Sequence, residues 1–230
     1  MTEQVPKDPF AQHIITRKRK KYKFANFDSY QNCFSHLRST DAEHTLEQLK
    51  SYLGDRPIVL EIAAGNAQFS LELAKKYPDL SFIAIDIKSD RLYTSAKKAL
   101  AEGATNIAFL RTHMNELGSI FPKNSIETIW LTFPDPFPKK RSAKHRLSHE
   151  SFLRQYRNIL KDTGSLKFKT DNRELFLWSL EQFVANAWRI SELSFDLHES
   201  PLPDDYKIKT NYETRFTIEG IPINYCTLNL

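Results

Sequence analysis

Pro57-Ile58-Val59-Leu60-Glu61-Ile62-Ala63-Ala64-Gly65-Asn66 is a short apolar run, rich in β-branched residues, that ends in an acid and a small-residue turn. Its apolar part is too short for a helix and suits a strand buried on both faces. Upstream, 45–53 has helical spacing with Gly54 as a stop. Downstream, 67–77 reads as a helix ended by Pro78, and 81–86 is a second apolar strand closed by Asp86. Ser89-Asp90 can cap a helix to about residue 101. Strands follow at 106–110 and at 126–133, the latter running into Pro134-Asp135-Pro136. A helix from Ser148 or His149 to Leu160, a break at Gly164, a strand at 165–169 and a helix over 172–186 continue the alternation. This pattern predicts one α/β domain, residues 41–230, with a parallel sheet covered by helices on both faces. Residues 1–40 fit no such unit and read as a basic N-terminal arm. Beyond Arg189, 190–197 and 214–218 read as extended strands around a polar loop.

The composition is ordinary for a globular chain: 230 residues, 40% hydrophobic and 27% charged. No apolar run approaches a membrane span, and no signal-like segment opens the sequence. Cys33 and Cys226 lack CxxC or histidine companions, which argues against a disulfide scaffold and a metal site and for a reducing cytoplasm. Charge is more informative. Residues 1–23 hold seven Lys/Arg and two Asp/Glu, which leaves 26 of each sign elsewhere. The excess sits in Arg17, Lys18, Arg19, Lys20, Lys21 and Lys23. A second basic cluster, Lys139, Lys140, Arg141, Lys144 and Arg146, has no acid between Pro136 and His149. A charge run is ordinarily a solvated surface. Two such clusters in a chain otherwise neutral favour a polyanion, nucleic acid ahead of membrane.

Ligands of open α/β sheets bind beyond the carboxyl ends of the strands, where an acid ending the second strand can hold ribose hydroxyls. Asp86 is so placed, about 20 residues after the first turn. A diphosphate needs several glycines for close amide approach, yet only Gly65 stands among Ala63, Ala64 and Ala67. Glu61 would repel a diphosphate and suits a ligand carrying sulfonium and ammonium groups. One such contact at ~4 Å is worth roughly 4 kcal/mol at an effective dielectric of about 20, before desolvation. These features favour S-adenosylmethionine over a nicotinamide cofactor. The competing readings are a strand-end salt bridge for Glu61 and a helix cap for Asp86.

Phe133-Pro134-Asp135-Pro136-Phe137-Pro138-Lys139-Lys140-Arg141, continuing through Lys144-His145-Arg146-Leu147, resembles the long F-x-D-P-W-x-K-x-R-H-x-K-R-R pattern of the bacterial tRNA (guanine-N7)-methyltransferases. Thr170-Asp171 resembles that family's T-D, and Thr210, Asn211, Tyr212 and Glu213 its T-x-[FY]-E. The resemblance spans roughly residues 60–216. It implies a Rossmann-like class I methyltransferase fold with a mostly parallel seven-stranded sheet, and methyl transfer to N7 of guanosine 46 in the tRNA variable loop. Cofactor positions are implied at Glu61, Gly65, Asp86 and Asp135. Catalysis is implied at Asp135, and substrate contacts at Lys139, Asp171, Thr210, Asn211, Tyr212 and Glu213. Phosphate contacts are assigned to Arg17, Lys18, Arg19, Lys20, Lys21, Lys140, Arg141, Lys144 and Arg146. The chain departs from the family in having Ala63 and Ala67 for usual glycines and Phe137 for a usual tryptophan. It has no acid after the third strand, where His113 is the ungapped match to the adenine-binding position and Asn115 the second choice.

Guanine N7 has an in-plane lone pair and no proton, so it needs alignment with the methyl group rather than a general base. A carboxylate beside the purine stabilises the positive charge that the ring acquires during transfer. Asp135, confined between two prolines, suits that task, and Phe137 could stack on the base. The expected partners are S-adenosylmethionine and tRNA, with no membrane and no metal, for a monomer or homodimer. Pro134-Asp135-Pro136-Phe137 also has some likeness to the D/N-P-P-F/Y motif of exocyclic-amine methyltransferases. A non-catalytic RNA-binding protein with a decayed cofactor turn is the other alternative.

Overall fold

The computed structural model describes residues 18–37 and 41–230, and the side chains of 18–21, 211 and 212 are outside that description. Eight strands form one sheet: β1 (Cys33–Ser35), β2 (Ile58–Ile62), β3 (Ser81–Asp86), β4 (Ile107–Arg111), β5 (Ile126–Thr132), β6 (Leu160–Thr170), β7 (Arg189–Ser194) and β8 (Asn224–Asn229). The helices are α1 (Lys18–Ala25), α2 (Ala42–Leu53), α3 (Gln68–Lys76), α4 (Ser89–Ala101), α5 (Leu117–Ile120), α6 (Glu150–Ile159), α7 (Arg173–Ala185) and α8 (Asn211–Ile218). The sheet order is β1-β4-β3-β2-β5-β6-β8-β7. Every neighbouring pair is parallel except β6–β8 and β8–β7. This is the α/β, Rossmann-like arrangement. After β2 the chain builds outward through β3 and β4, then returns to place β5 on the other side of β2. The order therefore reverses between β2 and β5, which is where such sheets bind ligands.

Alternation along the central strands explains the two-sided core. Leu60, Ile62, Ile83, Ile85, Ile129, Leu131 and Phe168 face the α2, α5, α6 and α7 side. Val59, Phe82, Ala84, Phe109 and Trp130 face the α3 and α4 side. Both faces are apolar because both are covered, so these strands read as nearly continuous hydrophobic runs. Glu61, Thr132 and Lys169 share the second face at the strand ends, and all three are buried.

Three features differ from the sequence expectation. The sheet has eight strands rather than seven, because Cys33–Ser35 pairs in parallel with β4. With Phe27 buried against α4's side of the core, the segment 27–36 belongs to the sheet's edge rather than to a free arm. Residues 214–218, read as a strand, lie in helix α8. Their β-branched residues suggest a strand, but Thr210 and Glu213 form a reciprocal capping box that starts a helix. The second antiparallel strand is instead β8. Gly164 does not break the strand; β6 runs through it with a register shift against β5. A Cβ there would lie 2.9 Å from the carbonyl oxygens of Glu127 and Lys161.

Candidate functional site

Glu61 ends β2 with 2% of its surface exposed. Ser70 donates to it from its backbone N–H at 3.1 Å and from Oγ at 2.6 Å, and Thr132 Oγ1 donates at 2.5 Å. The carboxylate thus ties β2 to α3 and β5 and makes no strand-end salt bridge among the described residues. Burial pushes its pKa up, against the opposing pull of the Ser70 and Thr132 hydrogen bonds and the Lys169 charge. An acid whose folded pKa is raised loses stabilisation as pH climbs from its unfolded to its folded value. Glu61→Gln, which can still accept from Ser70 and donate to Thr132, is therefore expected to be no less stable than wild type. Its advantage should widen as pH rises through that window, in thermal melts at a series of pH values. Its affinity for a cationic cofactor should fall.

The following turn is held in left-handed backbone at Ala63, Gly65 and Ala67, with φ of 57°, 57° and 54°. Gly65 N–H donates to Asp86 Oδ2 at 2.9 Å, and Lys88 N–H donates to Asp86 Oδ1 at 2.8 Å. Asp86 therefore fastens the β2 turn to the β3 turn. Each oxygen keeps a lone pair for a hydroxyl. Burial pushes this carboxyl up, opposed by the Lys88 and Gly65 amides. Left-handed backbone costs an L-residue about 1–2 kcal/mol, and a glycine's extra unfolded-state entropy returns about 0.4–1 kcal/mol of that. Ala63→Gly is expected to raise stability by up to about 1 kcal/mol in denaturant unfolding. Ala67→Gly should gain less, because the Ala67 methyl is fully buried.

Two chambers of about 490 Å³ each open over these strand ends, a size suited to small ligands. Ala63, Arg91, Phe133, Pro134 and Asp135 border both. The first also contains Glu61, Gly65, Asp171 and Thr210. The second contains Asp86, Ile87, His113, Met114 and Asn115, so both sequence candidates for adenine lie in its wall.

Asp135 is exposed and projects from a rigid corner. Phe133 and Phe137 on either side have φ of 51° and 41°. Phe133 N–H donates to the Lys169 carbonyl at 2.9 Å. Arg146 donates from Nε to the Pro136 carbonyl at 3.0 Å and from Nη2 to the Phe137 carbonyl at 3.1 Å. The same guanidinium lies 4.4 Å from the Trp178 ring. Arg146 is thus engaged in holding the corner, whereas Lys140, Arg141 and Lys144 are exposed on the adjoining 3₁₀ segment. Lys139 precedes that segment, is exposed, and is not in either chamber's wall.

At the end of β6, Lys169 Nζ lies 3.0 and 2.9 Å from the two Glu213 oxygens, and neither side chain has any exposed surface. The ammonium also sits 4.1 Å from the centre of the Phe69 ring. Burial would raise the Glu213 pKa, but His198, Lys169 and the Thr210 amide outweigh it and hold the carboxyl below its usual range. Thr210 and Glu213 therefore anchor α8, and Thr210 reaches the first chamber. Asp171 is half-buried in that chamber, and burial pushes its carboxyl up.

A profile of the family described as "Putative methyltransferase" matches residues 55–226. A tRNA (guanine-N(7)-)-methyltransferase of Cytophaga hutchinsonii is 38% identical over 190 residues, covering 78% of this chain and 86% of the relative. One of Christiangramia forsetii is 35% identical over 216 residues, covering 90% and 96%. The chain belongs to the tRNA (guanine-N(7)-)-methyltransferase family. Among solved structures, the 16S rRNA methyltransferase KamB aligns with a TM-score of 0.60 at 15% identity, over 84% of this chain and 95% of that one. A SAM-dependent methyltransferase from Aquifex aeolicus aligns with a TM-score of 0.53 at 15% identity, over 93% and 97%. These two show the shared fold.

In this family member Arg17 lies outside the described residues, as do the side chains of Lys18, Arg19, Lys20, Lys21, Asn211 and Tyr212. Sequence reasoning missed Lys23, Arg91 and Lys169. Lys23 is on α1 and Arg91 on α4, and both line the first chamber. Their signal was hidden in a generic basic run and an amphipathic helix. Among the described residues no helix is long and apolar enough to cross a membrane.

Proposed function

We propose that this protein transfers a methyl group from S-adenosylmethionine to N7 of guanosine 46 in the variable loop of tRNA. The observation that carries this reading is the position of Asp135, an exposed carboxylate on a restrained backbone corner that borders both chambers. Asp86, with His113 and Asn115 nearby, would hold the nucleoside end of the cofactor. Glu61 would favour its cationic end, and the donor set fits: the buried carboxylates of Glu61 and Asp86 line the two chambers around a turn with Gly65 as its one glycine. The bound cofactor supplies an electrophilic methyl group on a sulfonium. Asp135 accepts hydrogen bonds from the guanine N1–H and amino group, which identifies the base, and its charge offsets the positive charge growing on the purine. Asp171 and Thr210 border the same space and would orient the base, while Phe137 offers a face for stacking. No side chain is asked to remove a proton from N7.

Incubation with unmodified tRNA and labelled methyl donor, followed by nucleoside mass spectrometry, tests the proposal. The expected product is 7-methylguanosine at position 46. Methylation of an exocyclic amine, or tRNA binding without transfer, would overturn it. The exposed Lys140, Arg141 and Lys144 are the phosphate-binding residues of this reading. Replacing the three by Ala is expected to lower the log–log salt slope of tRNA binding by roughly 0.7–0.9 for each phosphate no longer neutralised, measured by filter binding.

A further inference from the structure

The first chamber is bordered on one side by a residue far from the sheet in sequence. Lys23, on α1, reaches its wall beside Gly65, Asn66, Gln68, Arg91 and Thr94. Helix α1 packs against α4. Its position is fixed by an aromatic cluster: Tyr22 and Tyr30 both meet Tyr93 edge-on, at 6.5 and 5.3 Å between ring centres. The Lys23 ammonium donates to Thr94 Oγ1 at 2.8 Å, and among the described residues it has no carboxylate partner. Most of the charge lining this chamber is negative, from Glu61, Asp90, Asp135 and Asp171, and its cations are Lys23 and Arg91.

For a ligand with a nucleoside at one end and an amino acid at the other, this pattern favours one orientation. Asp86 and the His113–Asn115 turn belong to the second chamber and select the nucleoside. The amino-acid end then extends into the first, where its carboxylate cannot face Glu61, Asp135 or Asp171. Arg91 borders both chambers and so lies nearer their junction. Lys23 borders the first alone.

We propose that Lys23 binds the carboxylate of the cofactor's amino-acid end, so that the basic N-terminal helix completes the cofactor site. This deepens the proposed cofactor role and rests on it. The consequence is that α1 and its neighbouring basic residues are held against the domain more firmly when the cofactor is present.

Calorimetric titration of the full chain tests this with two probes, S-adenosylhomocysteine and 5′-methylthioadenosine, which lacks the amino-acid end. Lys23→Ala is expected to weaken S-adenosylhomocysteine binding about 10- to 100-fold, the range for removal of a charge-assisted hydrogen bond. Methylthioadenosine binding should change by less than about two-fold, which also shows that the variant's site is folded. Lys23→Arg should retain most of the affinity for the longer ligand. Equal losses for both probes, or no loss for either, would overturn the role of Lys23. A wild-type protein that binds neither probe would overturn the cofactor reading and this inference with it.

Discussion

Asp135→Ala is expected to lower the turnover of methyl transfer by about 10²- to 10³-fold, the magnitude found when one preorganised electrostatic group is removed from a transition state. The substitution should have a much smaller effect on S-adenosylhomocysteine affinity, because Asp86, Glu61 and the β2 turn do not depend on this side chain. The corner itself should persist: Pro134, Pro136 and the Arg146 hydrogen bonds to Pro136 and Phe137 are untouched. Asp135→Asn separates charge from shape. It can still accept one hydrogen bond from guanine but no longer offsets positive charge, so its rate should stay well below wild type. Single-turnover rates with saturating tRNA are the measurement, and wild-type turnover in either variant would refute the assignment.

The second large effect concerns stability. Lys169→Met leaves the Glu213 carboxylate buried without its ammonium, and breaking such a pair typically costs about 3–5 kcal/mol. Denaturant unfolding should show that loss. The double variant Lys169→Met/Glu213→Leu should recover part of it, since no isolated charge then remains, although the capping box is gone. Failure of the double variant to improve on the single one would mean that the cap lost with Glu213 is worth at least as much as the stranded charge costs. Activity should fall in both, because Thr210, whose segment the buried pair anchors, belongs to the chamber wall.

The central sheet was readable because its strands are buried on two faces and its helices on one. Residues 58–62 and 81–86 coincide with β2 and β3, and 89–101 with α4. The edges were less legible. Strand β1 has three residues, too few for any periodicity, and its partner β4 is more than seventy residues away. Helix α8 had its start signal in plain view, Thr210 followed three residues later by Glu213, but the β-branched residues after it pointed to a strand. At the site, the sequence located acids at strand ends because topology dictates where those ends meet. It could not separate Arg146 from Lys140, Arg141 and Lys144. That distinction depends on the carbonyls and the indole that one guanidinium finds after folding. Lys23 was invisible for the same reason: only the packing of α1 on α4 carries it to the chamber.

The two backbone reversals at Phe133 and Phe137 have one further effect. With a proline on each side of Asp135 and Arg146 bonded to the carbonyls of Pro136 and Phe137, the backbone of this corner has few alternative conformations. If Asp135 meets the base as proposed, the nucleic acid makes the larger adjustment: its guanosine leaves its stacked neighbours and swings outward. Nucleotides in loosely stacked loops do this at least expense, whereas paired helical regions resist. Discrimination among the many guanosines of a folded RNA can thus begin with how readily each one unstacks, before any hydrogen bond is formed.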